Sequence, residues 1–225
     1  MAKGNSVFII PARGGSKRLP GKNLKQLNGI PLIAHSINFA KQNSDIAEDI
    51  IVSTDCNYIK SFVHQMGVTV IDRPKEISMD NSTTVSALKH VLTCLDKNYD
   101  EIILLQPTNP LRPKELLRKA YKEFLENNCD SLMTVSLNDK KLGKIKDGKY
   151  EPFTYKMGQR SQDLEPLYYE NGLLYISKSD LILNDKILGD NNFPFIVEHP
   201  FASVDIDTLE DLSYAQFIVK NYSDE

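Results

Sequence analysis

The chain has 225 residues, 41% hydrophobic and 25% charged, and its 27 basic against 30 acidic side chains leave a net charge of −3. That usage excludes a disordered or collagen-like chain, and without a global basic field nucleic acid is not an expected partner. Three widely spaced cysteines, no run near the roughly 20 apolar residues of a membrane span, and an N-terminal apolar run too short for a signal peptide predict a reduced, cytoplasmic protein that does not engage a membrane.

In chain order, Val7-Phe8-Ile9-Ile10 predicts a buried strand, followed by a glycine-rich loop and a helix over about 32–41 that Pro31 opens. A strand at 50–53, a helix at 58–66 ended by Gly67, and a strand at 68–71 come next. A helix at 84–96 leads to a strand at 101–105, then a charged helix at 114–126 and a strand at 131–135. Apolar runs alternating with amphipathic helices predict an α/β, Rossmann-like three-layer sandwich with a mostly parallel sheet. The character changes after about residue 136. Residues 138–149 are polar and lysine-rich and read as turns or a hairpin, and 155–170 reads as irregular. A strand at 173–176, a short helix at 178–183, a strand at 195–197 and a closing helix at 209–219 complete the pattern. One domain over 1–225 is expected, with about 137–172 as an excursion that leaves the sheet and returns.

Three constellations carry chemistry. Directly after the first strand, ARGGSKRLPGKN (Ala12 to Asn23) brings Arg13, Lys17, Arg18 and Lys22 beside Gly14, Gly15 and Gly21. Glycines let backbone N–H groups approach an anion, and the cations offer charge-assisted bonds to phosphate oxygens. Such a loop at the carboxyl end of a parallel strand is where open α/β sheets bind ligands. It is neither a Walker A loop nor G-x-G-x-x-G, and a solvated basic turn is the alternative. The second constellation, LLQPTNPLR (Leu104 to Arg112), uses Pro107, Pro110 and Pro113 to stiffen a loop presenting Gln106, Asn109 and Arg112; a plain proline turn is its alternative. In the third, Asp205 and Asp207 point the same way from an extended segment while Val204 and Ile206 face the core. The two carboxylates suit a shared magnesium ion, or Asp207 instead caps the last helix. Asp55, at the end of the second strand, reads as a helix cap, with ligand contact the alternative. Residues 80–84 read as a cap as well, and 168–172 as a sugar-contacting turn or an ordinary strand start.

Taken in this order, IIPARGGSKRLPGKN, IVSTD, DRP, LLQPTNPLR, ENGLLYI and VDIDT resemble the acylneuraminate cytidylyltransferase (CMP-sialic acid synthetase) family of bacteria over essentially the whole chain. The resemblance implies a nucleotide-diphospho-sugar transferase fold and a nucleotidyltransferase joining CTP to a nine-carbon 2-keto sugar acid, with release of pyrophosphate. It implies that Arg13, Lys17 and Lys22 hold the triphosphate within the Ala12, Gly14, Gly15, Ser16 loop, and that Asn23, Arg73 and Ser82 lie near the nucleoside. Gln106, Asn171 and Tyr175 would meet the sugar, as would Arg160, Gln162 and Phe193, with Phe193 and Phe195 approaching across a dimer interface. Asp205 and Asp207 would hold Mg2+, and the catalytic set would be Arg13, Lys22, Asp205 and Asp207. A homodimer is implied, its excursion reaching over the neighbouring subunit. Many members carry a basic pair where this chain has Arg160-Ser161, so Arg160 or a lysine among Lys140, Lys141 and Lys144 is expected to meet the sugar carboxylate. The alternatives are a 3-deoxy-manno-octulosonate cytidylyltransferase, a glycosyltransferase using Asp205 and Asp207 as its metal motif, and a non-catalytic CTP sensor.

Overall fold

The structure, a computed structural model, describes residues 5–222. Strand β1 (Ser6–Pro11) sits inside the main sheet because its apolar residues are buried on both faces: Val7 and Ile9 turn to one side, Phe8 and Ile10 to the other. Each such side chain contributes about 2 kcal/mol by leaving water. A small hairpin follows, β2 (Gln26–Leu27) with β3 (Ile30–Pro31), then α1 (Leu32–Gln42), β4 (Asp49–Thr54), α2 (Asn57–Gln65) and β5 (Thr69–Asp72). Next come α3 (Thr84–Cys94), β6 (Glu101–Leu104), α4 (Leu116–Glu126) and β7 (Ser131–Asn138). The chain continues through β8 (Gly143–Lys146), β9 (Lys149–Pro152), β10 (Leu167–Lys178), α5 (Ser179–Leu183), β11 (Asn192–Ile196) and α6 (Leu209–Asn221).

The seven-stranded sheet runs β11-β7-β10-β6-β1-β4-β5. Phe8 pairs with Ile50 on one side and Ile103 on the other, both in parallel register. The chain moves outward from β1 through β4 to β5, then returns by α3 to β6 on the other side of β1. That reversal is a topological switch point, and the loops after β1 and β6 leave it side by side at the carboxyl ends of their strands. Helices α1, α2 and α4 pack on one face with Phe8 and Ile10, while α3 and α5 pack on the other with Val7 and Ile9. A third cluster, Leu19, Leu27, Leu32, Leu111, Phe201, Val204 and Ile206, closes under α6.

The sheet is mostly parallel, as expected, and three segments take a form that the sequence left open. The strand expected at 173–176 is the second half of the 12-residue β10, which runs antiparallel to both β6 and β7, so the sheet is mixed. Its first half was hidden because residues 168–170 are exposed and carry no apolar alternation. A bulge between Glu170 and Tyr175 joins the halves, and Gly172 has φ of +75° there. A Cβ at Gly172 would also meet Asn109 Oδ1 at 2.8 Å, so the position requires glycine twice over. Second, β8 and β9 form a hairpin bonded only to itself and almost wholly exposed, which resolves 138–149 in favour of the hairpin. Third, Val204–Asp207 follows a 3-10 turn (Pro200–Ser203) and joins no strand.

Candidate functional site

The segment after β1 is pinned at several points. The backbone N–H of Gly14 donates to Asp55 Oδ1 at 2.8 Å, and Asn23 Nδ2 donates to the Arg13 carbonyl at 2.9 Å. Gly14 has no room for a side chain, because a Cβ would stand 2.8 Å from that of Cys56. Asp55 is therefore a brace for the basic loop; α2 starts after Cys56 without any side-chain cap. Arg73 is buried at the end of β5 and donates to the Ser53 hydroxyl (3.0 Å) and carbonyl (2.8 Å). Burial lowers its pKa to about 10, Asp55 opposes that and Arg13 adds to it, so the guanidinium is charged at neutral pH.

These residues surround a cleft of about 510 Å³. Arg13, Ser16, Lys17, Arg18, Lys22 and Asn23 come from the first loop. Arg73, Asp80, Ser82 and Thr83 come from the stretch between β5 and α3, Thr84 from the first residue of α3, Gln106, Pro107 and Thr108 from the loop after β6, and Asp207 from the approach to α6. The cations are countered by two carboxylates. Asp80 pairs with Arg13 at 2.8 Å and with Lys17, while Asp207 pairs with Arg18 at 2.5 Å and Lys22 at 2.6 Å.

A second cavity of about 380 Å³ adjoins it, lined by Gln106, Asn109, Tyr169, Glu170, Asn171, Gly172, Tyr175, Ala202, Ser203 and Asp205. Gln106 lines both cavities. Tyr175 donates to Glu170, and its hydroxyl pKa is raised by burial first and then by that carboxylate. Because β10 runs antiparallel to its neighbours, its starting residues lie at the end of the sheet where β6 finishes.

One side chain ties the two cavities together. Asn109 is buried and donates to the carbonyls of Asn171 (3.0 Å) and Val204 (3.1 Å), while the Ile206 N–H donates to the Thr108 carbonyl at 2.8 Å. Arg112 is buried too, donating to Leu173 O (2.7 Å), Ser36 Oγ (3.1 Å) and Gln106 O (2.8 Å). Burial lowers its pKa to about 9. The proline loop thus presents Gln106 to both cavities, whereas Asn109 and Arg112 turn inward to hold it.

Val204 and Ile206 are buried, so the carboxylates of Asp205 and Asp207 emerge between them, one into each cavity. Burial and the charge of Asp207 raise the Asp205 carboxyl above the usual carboxylate range, against the Thr108 hydroxyl and Lys22. Asp207 does not cap α6. Thr208 does, accepting from Asp211 N at 3.2 Å while Asp211 Oδ2 accepts from Thr208 N at 2.8 Å and Asp207 N at 2.9 Å. The capping box leaves the Asp207 carboxylate to the cleft.

Of the residues expected from sequence, Arg13, Ser16, Lys17, Lys22, Asn23, Arg73, Ser82 and Asp207 come together at the first cavity, and Asn171, Tyr175 and Asp205 at the second. Ala12 is buried beneath the loop, and Gly14 and Gly15 shape its path without lining either cavity. Arg160, Gln162 and Phe193 line neither cavity of this chain. Gln162 lies on the exposed 3-10 turn Ser161–Asp163, and Arg160, just before it, pairs with Asp163 at 2.8 Å. Phe193 and Phe195 share the half-buried face of β11 and pack on the core. Sequence reasoning missed Thr108, placed Asp80 only in a helix cap, and named Glu170 only as part of the 168–172 turn. Their partners lie far along the chain or at a bulge, and no local pattern marks them.

The sheet order, with a cationic cleft at its switch point and a polar pocket beside it, is that of the nucleotide-diphospho-sugar transferase fold, which solved nucleotidyltransferases share. A solved CMP:2-keto-3-deoxy-manno-octonic acid synthetase complexed with CTP shares the fold with a TM-score of 0.71, covering 96% of this chain and 98% of its own at 19% identity. A 4-diphosphocytidyl-2C-methyl-D-erythritol synthase from Anaerococcus prevotii does so at 0.69, with 96% of each chain covered and 15% identity. The chain belongs to the cytidylyltransferase family, whose profile matches residues 7–220. It is 33% identical to a pseudaminic acid cytidylyltransferase of Campylobacter jejuni, over 96% of both chains. Identity is 34% to a CMP-N,N'-diacetyllegionaminic acid synthase of Legionella pneumophila, over 95% of this chain and 96% of that protein. It is likewise 34% to an N-acylneuraminate cytidylyltransferase of Streptococcus agalactiae, over 91% of this chain but 51% of that protein. The chain spans about half the length of these streptococcal relatives.

Proposed function

We propose that the protein is a CMP-nonulosonate synthetase: it joins CTP to a nine-carbon 2-keto sugar acid and releases pyrophosphate. The observation that carries this reading is the pair of cavities meeting at Gln106, one ringed by cations and the other polar, with one carboxylate of the Asp205–Asp207 pair in each. The anomeric oxygen of the sugar acid attacks the α-phosphorus in line and pyrophosphate leaves. Such a transfer is mostly positioning and charge stabilisation. Arg13, Lys17 and Lys22 would neutralise the triphosphate and the charge growing on the leaving pyrophosphate. Gln106, at the junction, would orient the attacking oxygen.

The donor set fits magnesium, which takes one or two protein carboxylates plus phosphate oxygens. Asp205 and Asp207 would hold it, and among the described residues no larger cluster of His, Cys, Asp or Glu competes. When bound, it supplies charge stabilisation to the phosphoryl oxygens.

Among the described residues, none of those lining the second cavity is Lys or Arg, so no lining side chain there offers a sugar carboxylate a cation. This supports a homodimer in which the exposed hairpin segment of a second copy, with Arg160 and Lys141, completes the pocket. The protein would act in the cytoplasm, and among the described residues no helix is long and apolar enough to cross a membrane.

The test is pyrophosphate release from CTP and magnesium with N-acetylneuraminate, legionaminate, pseudaminate and 3-deoxy-manno-octulosonate in parallel. Release with a nine-carbon acid is expected. Release with the octulosonate alone, or with none of the four, would overturn the reading.

A further inference from the structure

We propose that Asp80 is an internal counter-ion that holds Arg13 and Lys17 at the mouth of the cleft, yields them to a polyphosphate, and takes them back as pyrophosphate leaves. The proposal rests on the triphosphate reading of this cleft and deepens it. Asp80 is not an incidental surface carboxylate. It stands on the segment between β5 and α3, 67 residues from Arg13, and bridges two cations of the opposite wall, Arg13 at 2.8 Å through Oδ1 and Lys17 through Oδ2. All three side chains line the same cleft. Arg13 also reaches the Ser78 carbonyl at 3.5 Å, so the two walls meet at neighbouring points.

A carboxylate that uses both oxygens on two lining cations competes with a phosphate for their charge and for one donor of each. Full engagement of a phosphate by both cations then exchanges these contacts for phosphate oxygens. Lys17 first and Arg13 second hold the Asp80 carboxyl below the usual carboxylate range, so it remains an anion through neutral pH. The pairs are exposed, with Lys17 at 83% and Asp80 at 44% side-chain accessibility, and exposed pairs are weak. Weakness suits the role, since a buried and rigid pair would exclude the ligand instead of exchanging with it.

The sign of one substitution separates this from a structural role. If Asp80 only positions Arg13, removing its charge loosens the cleft and weakens binding. If it competes with phosphate, Asp80→Asn tightens binding. Titration calorimetry of the full chain with inorganic pyrophosphate, and separately with CTP, would measure both proteins at two salt concentrations. We expect Asp80→Asn to bind pyrophosphate about threefold to tenfold more tightly than the native chain, with a steeper loss of affinity on adding salt. In turnover, KM for CTP should fall while inhibition by pyrophosphate strengthens by a similar factor. A Lys17→Gln background should shrink the gain, because one of the released cations is then missing. Unchanged or weaker pyrophosphate binding by Asp80→Asn, with the native chain binding normally, would overturn the counter-ion role alone. Absence of pyrophosphate and CTP binding by both proteins would overturn the triphosphate reading and this proposal with it.

Discussion

The two cavities share a wall yet are built by opposite means. The first takes most of its charge from one short loop, with Arg73 added from the end of β5; the loop backbone is braced by Asp55 and Asn23 and its cations are countered by Asp80 and Asp207. The second gathers residues from the β6 loop, the bulge of β10 and the approach to α6, and its charged lining groups are the acids Glu170 and Asp205. The difference teaches that one chain is equipped for the polyanionic partner of the proposed reaction. On that proposal, the second cavity of one chain would meet the sugar acid through shape and hydrogen bonding.

The largest expected effect is on the boundary between the cavities. Asp207→Ala should lower the rate of pyrophosphate release at least 100-fold at saturating magnesium, about 3 kcal/mol of lost charge stabilisation. It also frees Lys22 from its 2.6 Å partner. Next is the tie between the two sides. Asn109→Ala strands the carbonyls of Asn171 and Val204, a loss of about 2 kcal/mol, which thermal unfolding would report as roughly 4–8 °C in Tm.

Arg160→Ala should act on the sugar side alone, raising KM for the acid about tenfold while KM for CTP stays within about twofold. Equal effects on both substrates would remove Arg160 from the sugar pocket. Ile145→Glu, on the exposed face of the β8–β9 hairpin, should leave Tm nearly unchanged, within about 0.5 kcal/mol of stability. Sedimentation should then report dissociation of the proposed dimer, and steady-state kinetics a rise in KM for the acid.

The smallest effect concerns pH. Burial holds the pKa of His35 below its ordinary 6.5, and the ring contacts the Leu27 carbonyl of β2 at 3.1 Å. The folded state thus binds fewer protons than the unfolded one. The contribution of His35 is complete above about pH 6.5 and is lost as pH falls through that value toward the folded pKa. Urea midpoints should decline slightly across that window, and His35→Gln should flatten the decline.

The first cavity was largely legible in the sequence and the second was not, for physical reasons. Strands β1, β4 and β6 are apolar on both faces, so they stand out as continuous runs, and the basic loop follows β1 directly. The antiparallel insertion of β10 left no such mark. Its first half is exposed, and its bulge is set by a contact with Asn109, 62 positions away. Asp55 reads as a cap in the sequence because a carboxylate before a helix has the same local pattern whether it meets that helix or a distant glycine. Asp207 posed the reverse problem, settled only when Thr208 and Asp211 formed the capping box between themselves. Asn109 and Arg112 looked available to ligand, although a stiff proline loop needs internal donors to hold it as much as presented ones.

The most direct measurement is phosphorus NMR of one reaction containing the protein, CTP, magnesium and the nine-carbon acid that supports release. The account predicts that the three CTP resonances give way to one phosphodiester signal of a CMP-sugar and one of pyrophosphate, in equal amounts and only with the acid present. Consumption of a CMP-sugar without pyrophosphate, or intact CTP beside folded, CTP-binding protein, would contradict it.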